Sequence, residues 1–218
     1  MAKDFNISRR EQDEFALMSH QRAEAGLTRL AEEITPVYPG PKYQNVVEED
    51  NGIRRGQTME ALSKLKPYFE RKTGTVTAGN ASQLTDGAAA VLLMPEEKAK
   101  SLGYKPLGYV KSFAYEGLDP RRMGLGPAFA IPAALKKAKL SLKDIELFEI
   151  NEAFAAQVIA CERALASDKF CREKLGLSQA VGILDRSRLN VNGGGIALGH
   201  PVGATGTRII LTCLKEMQ

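Results

Sequence analysis

Residues 192–206 read Asn-Gly-Gly-Gly-Ile-Ala-Leu-Gly-His-Pro-Val-Gly-Ala-Thr-Gly and form the most informative stretch of the chain. Six glycines in fifteen residues allow the backbone to adopt positive φ angles or to approach a neighbour closely. An apolar periodic segment follows, which predicts a helix whose free N–H groups point back at the loop. His200 lies among these glycines, and Pro201 restrains its backbone. The sequence leaves two interpretations open: His200 is a hydrogen-bonded histidine in a tightly packed turn, or it faces a ligand.

Familiar phosphate-binding loops do not match this stretch. The Walker pattern ends in Gly-Lys-Ser/Thr, whereas Gly206 is followed by Thr207. The dinucleotide pattern G-x-G-x-x-G fits Gly193 and Gly195 but meets Leu198 at its third glycine. Neither kind of nucleotide loop is predicted.

Residues 151–155, Asn-Glu-Ala-Phe-Ala, follow a short apolar segment and precede a helical pattern. Asn151 has the position of an N-cap, and spacing alone favours that role. Glu152 in a first turn would complement the helix dipole. The other interpretation is that the end of a strand presents Asn151 to a site, as strand ends commonly do in α/β folds.

The order of elements favours an α/β or mixed layered fold. A capping box at Ser8 opens a first helix, and residues 36–64 are irregular. Strands are predicted at 75–77, 107–113, 147–150 and 189–191, and the apolar run 88–94 fits either a buried strand or a buried helix. Helices are predicted around 95–103, 131–138 (with Pro132 in the first turn), 153–166 and the last twelve or so residues.

Composition excludes several classes of protein. The net charge of +4 is small and its basic residues alternate with acidic ones, which argues against nucleic-acid binding. Cys161, Cys171 and Cys213 show neither disulfide nor zinc spacing, and inert burial is expected for each. No metal is expected. His20 is expected to be partly buried on the first helix. The chain has no apolar run long enough to cross a membrane and no signal peptide, so a cytoplasmic location is expected.

Three segments, taken in order, resemble the thiolase family. They are residues 74–82 with 86–89 (Gly-Thr-Val-Thr-Ala-Gly-Asn-Ala-Ser, then Asp-Gly-Ala-Ala), residues 151–154 and residues 192–206. Residues 8–23 also resemble the start of that family's loop domain, so the resemblance covers essentially the whole chain. It implies a layered α-β-α-β-α fold, with a loop domain contacting CoA at 1–82. Residues 83–105 would be the returning edge of the N-terminal half, and 106–218 most of the C-terminal half.

The resemblance also implies an activity and a set of site residues. Thiolases cleave 3-ketoacyl-CoA with CoA, or condense two acyl-CoA molecules, through an acyl-cysteine. A histidine matching His200 would activate the nucleophile and, with a water held by Asn151, stabilise the thioester oxyanion. Phe154 would line the acyl site, and Ser82, with Ala78 and Leu84 nearby, would contact the pantetheine arm. CoA is then a substrate, and no permanently bound cofactor is expected.

The resemblance is incomplete in two respects. The family's nucleophilic cysteine precedes the loop domain and its Cys-x-Gly-Gly-Gly cysteine follows the last helix, so this chain is expected to be a fragment that does not turn over alone. Residues 166–188 resemble the fatty-acid oxidation branch, which pairs with a hydratase/dehydrogenase, yet that branch commonly has histidine where Asn151 stands. The full-length protein is expected to be a homodimer or tetramer. A biosynthetic acetoacetyl-CoA thiolase and a non-catalytic acyl-CoA-binding protein remain alternatives.

Overall fold

The computed structural model describes residues 1–218, and its regular elements are helices. Three short 3₁₀ helices (Pro120–Leu125, Leu142–Asp144 and Arg186–Arg188) accompany nine α-helices. The α-helices are α1 (Arg9–Ala25), α2 (Leu27–Ala31), α3 (Met59–Ser63), α4 (Glu96–Ser101), α5 (Gly126–Ala138), α6 (Ala155–Leu165), α7 (Asp168–Leu175), α8 (Gly195–Leu198) and α9 (Thr205–Glu216).

Helix α1 begins where its capping box predicts. The Ser8 hydroxyl accepts a hydrogen bond from the Glu11 backbone N–H at 3.2 Å, and the Glu11 carboxylate accepts one from the Ser8 backbone N–H at 2.8 Å. These bonds satisfy donors that a helix start otherwise leaves free. Phe15 and Ala16 are fully buried on the inner face of α1, which packs against α3, α6 and α8. The first helix therefore links the loop region to the later motifs.

Helix α6 is the centre of the hydrophobic core. Nine of its eleven residues are buried, which is typical of a helix enclosed on all sides. Val158, Ile159 and Leu165 are the largest apolar side chains among these, and each stabilises the fold by roughly 1.5–3 kcal/mol on burial. Small residues of α6 such as Ala160 allow its neighbours to approach closely. The segment that precedes α6 is consequently anchored to the most rigid part of the chain.

The predicted strands at 147–150 and 189–191 meet in a single parallel bridge between Phe148 and Leu189. The ladder stops because Asn190 adopts a left-handed φ of 48°. Its side-chain amide then replaces a strand backbone: the Ile150 N–H donates to Asn190 Oδ1 and Asn190 Nδ2 donates to the Ile150 carbonyl, both at 2.8 Å. The two segments are adjacent as predicted, but they form a bridge closed by a side chain instead of paired strands.

The predictions for 75–77, 107–113 and 88–94 are wrong. A strand requires a neighbour for its backbone groups, and none of these segments pairs in a ladder. Residues 75–77 make a single backbone bond to another segment, in which the Val76 carbonyl accepts from the Tyr68 N–H at 2.9 Å. The carbonyls of Leu107 and Phe113 accept from the side chains of Gln218 and Lys137 instead. Large apolar side chains along these stretches are exposed, namely Leu84, Leu92, Leu93, Tyr109, Val110, Phe113 and Tyr115.

The remaining helix predictions agree with the structure, with one shift. Helices α4, α6 and α9 occupy their predicted positions. Helix α5 begins earlier than predicted, at Gly126, because Pro127 suits its first turn, and this leaves Pro132 in the helix interior. None of the helices is both long and apolar enough to cross a membrane.

Candidate active site

Asn151 and His200 meet side chain to side chain. Asn151 Nδ2 lies 3.2 Å from His200 Nε2, although 49 residues separate them. Helix α6 begins only at Ala155, with Phe154 as its cap residue, so the N-cap interpretation of Asn151 is wrong. The chain stays extended through Phe154 because Phe154 forms an antiparallel bridge with Ala81, and the Asn80 carbonyl accepts from the Ala155 N–H at 2.9 Å. Asn151 is therefore free to contact the histidine.

The segment 80–85 holds both motifs in place. The Ser82 N–H donates to the Ala153 carbonyl at 2.9 Å, which places Ser82 beside Phe154. The Thr85 hydroxyl accepts from the His200 backbone N–H at 2.8 Å. Two predicted substrate contacts thus lie in the same region as the Asn151–His200 pair.

The other two predicted contacts lie at the surface on either side of Ser82. Ala78 is exposed, and the Leu84 side chain is fully exposed. Between Ala78 and Ser82 the turn is held by Asn80, which is fully buried. Asn80 Nδ2 donates to Asp13 at 2.8 Å, and its oxygen accepts from the Thr77 N–H at 2.8 Å. The turn is rigid at Asn80 while its flanks are open to a ligand.

Glu152 binds the glycine-rich loop from inside the protein. Its carboxylate is fully buried and accepts from Ser19 Oγ at 2.6 Å, Asn190 Nδ2 at 2.8 Å and the Ile196 N–H at 3.2 Å. Burial raises the pKa of Glu152, whereas the three donors favour its charged form. A buried carboxylate with three donors fixes the position of the loop that carries His200.

Two glycines of the loop are required by this packing. A Cβ on Gly194 would lie 2.3 Å from Glu152 Cδ. Gly193 has a φ of 78°, and its Cβ would meet the Ser19 carbonyl at 2.7 Å. The tight-packing interpretation of the glycines is confirmed at these positions. It does not exclude a role for His200, whose side chain extends away from Glu152 to Asn151.

The imidazole of His200 is partly buried and bonded at both nitrogens. Its Nδ1 lies 2.7 Å from the Thr205 hydroxyl, and Nε2 contacts Asn151. Burial, followed by the positive charge of Arg208, lowers the pKa of His200 below its usual 6.5. The ring is therefore neutral at pH 7, which is the form that can accept a proton.

Arg208 has no hydrogen-bonded carboxylate partner at its terminal nitrogens. Both terminal nitrogens of its guanidinium are buried without a hydrogen-bond partner. Burial raises the pKa of Glu149 to about 8 in spite of Arg208, so this carboxyl is mostly protonated at pH 7. Arg208 therefore acts on His200 beside a Glu149 carboxyl that carries little negative charge.

The cysteines have the character of structural side chains. Cys161 and Cys171 are buried, and Cys213 is half-buried on α9. Burial raises the pKa of the Cys161 thiol to about 11, and it also raises the pKa of Cys213. Neither thiol is activated as a nucleophile. The structure contains no cluster of histidine, cysteine and carboxylate side chains suited to a metal ion.

His20 is more deeply buried than predicted. It accepts a hydrogen bond at Nδ1 from the Arg54 N–H at 3.2 Å. This bond ties α1 to the irregular segment, and burial lowers the pKa of His20. Its environment is that of a satisfied structural histidine.

Comparisons with known proteins identify the family of this chain. Residues 1–97 match the family model "Thiolase, N-terminal domain", and residues 104–218 match "Thiolase, C-terminal domain". The chain belongs to the thiolase family. It is 50% identical to the 3-ketoacyl-CoA thiolase of Yersinia enterocolitica and 48% identical to that of Shewanella halifaxensis, in each case over all of this chain and 50% of the relative.

Solved thiolase structures share the fold. The acetyl-CoA acetyltransferase of Bacillus anthracis superposes with a TM-score of 0.86 at 41% identity, over 99% of this chain and 51% of that one. Human mitochondrial 3-ketoacyl-CoA thiolase superposes with a TM-score of 0.83 at 41% identity, over 99% of this chain and 50% of that one. These matches confirm the predicted thiolase-like α/β fold class. The chain spans about half the length of the relatives it matches.

The sequence did not reveal the residues that hold His200 and Glu152 in place. Thr85, Thr205, Ser19 and Asn190 all bond to the motif residues, yet each is a common polar residue whose partner is distant in sequence or across a turn. Only Thr205 carries a local signal, since it begins the helix that follows the glycine-rich loop.

Proposed function

We propose that this chain supplies the His200–Asn151 half of a thiolase active site, in a protein that cleaves 3-ketoacyl-CoA with CoA during fatty-acid β-oxidation. The observation that carries the proposal is the contact of a neutral His200 with Asn151, beside the Ser82–Phe154 region. The names of the relatives support the choice of substrate class.

The proposed chemistry assigns each group a task. His200 Nε2 accepts the proton of a cysteine thiol, and the thiolate attacks the 3-keto carbon. The C2–C3 bond then breaks, C2 takes a proton from the family's Cys-x-Gly-Gly-Gly cysteine, acetyl-CoA leaves, and the acyl group remains on the nucleophilic sulfur. A CoA thiol returns a proton to the Cys-x-Gly-Gly-Gly cysteine, attacks that thioester and releases the shortened acyl-CoA, and the freed nucleophilic thiolate regains its proton from His200. Protonated His200 and a water held by Asn151 donate to the oxyanion at each attack.

The nucleophilic cysteine comes from a segment outside these 218 residues in this proposal. Cys161, Cys171 and Cys213 are unsuitable, because their thiols are buried or half-buried in helices. The exposed apolar stretches around Leu92 and Val110 are surfaces that such segments would cover. Residues 1–82 would then serve as the CoA-contacting loop domain, 83–105 as the edge of the first half and 106–218 as the second half.

The partners follow from the same proposal. CoA and acyl-CoA are the substrates, with Ser82, Ala78 and Leu84 along the pantetheine arm and Phe154 at the acyl group. The functional protein would be a cytoplasmic homodimer or tetramer, associated with a hydratase/dehydrogenase. The relatives that are acetyl-CoA acetyltransferases favour a second candidate, a biosynthetic acetoacetyl-CoA thiolase. A non-catalytic acyl-CoA-binding protein is the third.

A thiolysis assay separates these candidates. We define the completed protein as this chain extended at both ends by the flanking segments of the Yersinia enterocolitica relative. It is expected to consume 3-ketoacyl-CoA in the presence of CoA, with a higher kcat/KM for long acyl chains than for acetoacetyl-CoA. A preference for acetoacetyl-CoA would support the biosynthetic alternative. Saturable CoA binding without any thiolysis would support the binding protein.

A further inference from the structure

Thr205 is the residue that bonds to the far side of the His200 ring. Its hydroxyl lies 2.7 Å from His200 Nδ1 and 3.0 Å from the Pro201 carbonyl. Thr205 is 2% exposed and is the first residue of α9. No water competes for a hydroxyl in such a position, so its single hydrogen and its lone pairs are shared among these neighbours alone.

The positions of the protons follow from the hydrogen-bond network. If the Thr205 hydrogen is donated to the Pro201 carbonyl, the hydroxyl oxygen accepts from His200 Nδ1–H. Nε2 then carries a lone pair, which accepts from Asn151 Nδ2 at 3.2 Å. In the other tautomer, Nδ1 would need the single Thr205 hydrogen, and the Pro201 carbonyl would lose it. Nε2–H would also face Asn151 Nδ2 in the amide orientation of this structure. All three contacts are satisfied at once only when Nδ1 carries the proton.

We propose that Thr205 is a positioning residue that holds His200 as the Nδ1–H tautomer, so that the lone pair of Nε2 faces the site. Histidine in water favours the opposite tautomer, and the hydroxyl of Thr205 is the group that reverses this preference. When Nε2 accepts a proton, Nδ1–H remains bonded to Thr205, which also stabilises the imidazolium. The catalytic consequence rests on the proposed function, whereas the tautomer itself does not.

Nitrogen NMR of the ring tests the tautomer directly. The chain contains two histidines, so ¹⁵N-histidine labelling gives two sets of ring signals. His200 is expected to show a protonated Nδ1 and an unprotonated Nε2 at neutral pH. His20 is expected to show the reverse, because its Nδ1 accepts from the Arg54 N–H. The two histidines therefore serve as opposite references within one spectrum.

Two substitutions complete the test. Thr205→Val keeps the shape and removes the hydroxyl, and we expect His200 to shift to the Nε2–H pattern while His20 stays unchanged. The Pro201 carbonyl retains its bonds from the Ala204 and Thr205 N–H groups, so the turn should persist. Thr205→Ser restores the hydroxyl and should restore the Nδ1–H pattern. An Nε2–H pattern in the unsubstituted chain, or an unchanged Nδ1–H pattern in Thr205→Val, would overturn the proposal.

Kinetics of the completed protein give a second readout. Partners that orient a functional histidine typically contribute about 10- to 100-fold, as measured for metal-bound histidines. We expect Thr205→Val to lower kcat by about that factor with KM unchanged, and Thr205→Ser to recover most of it. Equal kcat in Thr205→Val and the unsubstituted protein would contradict the positioning role. If the completed protein is inactive while the NMR pattern is as expected, the proposed function fails and the tautomer assignment stands.

Discussion

Replacement of His200 by alanine in the completed protein is expected to abolish useful turnover, with kcat/KM for thiolysis falling by about 10²- to 10⁴-fold, the usual contribution of a general base. The substitution removes the proton acceptor at Nε2 and the donor to the oxyanion together. The fold should persist, since the backbone bond from residue 200 to Thr85 is retained. Steady-state thiolysis assays measure the loss, and circular dichroism verifies the fold.

The control for this prediction is Val202→Ala, on the same loop. Val202 is 82% exposed and should tolerate the change with kcat/KM within about twofold of the unsubstituted protein, because surface substitutions cost little. Activity of His200→Ala similar to that of Val202→Ala would remove His200 from the mechanism.

The pH dependence of kcat/KM should also report on His200. Burial and Arg208 lower the pKa of His200 in the folded protein, so the neutral, proton-accepting form persists to below pH 6.5. Activity should be lost as the pH falls through this lowered pKa, since protonation occupies Nε2. In the Arg208→Gln variant, the acid limb of the kcat/KM profile should move upward towards pH 6.5.

Replacement of Glu152 by alanine is expected to lower the free energy of unfolding of the completed protein by roughly 3–5 kcal/mol in total. Ser19, Asn190 and the Ile196 N–H would lose their common acceptor, and each buried donor left unpaired costs about 1–3 kcal/mol. Urea unfolding measures the change. The matched control is Glu146→Ala, an exposed carboxylate on the segment before Phe148, which should change stability by less than about 0.5 kcal/mol.

A double-mutant cycle tests the contact behind this prediction. Gly194→Ala should destabilise the completed protein because its Cβ would lie 2.3 Å from Glu152 Cδ. The same change in a Glu152→Ala background should cost far less, since the obstructing carboxylate is absent. Additive effects of the two substitutions would show that the glycine-rich loop does not pack on Glu152.

The local patterns in the sequence were sufficient for the longer helices α1, α6 and α9, but not for the short helices α3 and α8, which lie in segments that look irregular. The capping box at Ser8 places the start of α1, and the apolar run after Phe154 places α6. They were also sufficient to single out His200. Spacing alone favoured an N-cap role for Asn151, which is wrong. The backbone after Asn151 stays extended because residues 80–82 bond to it, and these residues are too distant in sequence for local spacing to indicate the contact.

The predicted strands could not be judged from local sequence. A strand is defined by its neighbour. No segment of this chain pairs with Val110, and the pairing of Phe148 with Leu189 ends at the left-handed turn at Asn190. The hydrogen bonds of Thr205 to His200 and of Ser19 to Glu152 could not be predicted from local sequence either. A hydroxyl group can donate to or accept from many partners, and only the fold determines which atom lies beside it.

The most direct test of the central claim is the intact mass of the completed protein after rapid mixing with a 3-ketoacyl-CoA in the absence of free CoA. We expect a mass increase equal to the shortened acyl group, located by peptide mapping on a cysteine outside these 218 residues and removed when CoA is added. Acylation of Cys161, Cys171 or Cys213, or thiolysis without any acyl-enzyme, would contradict it.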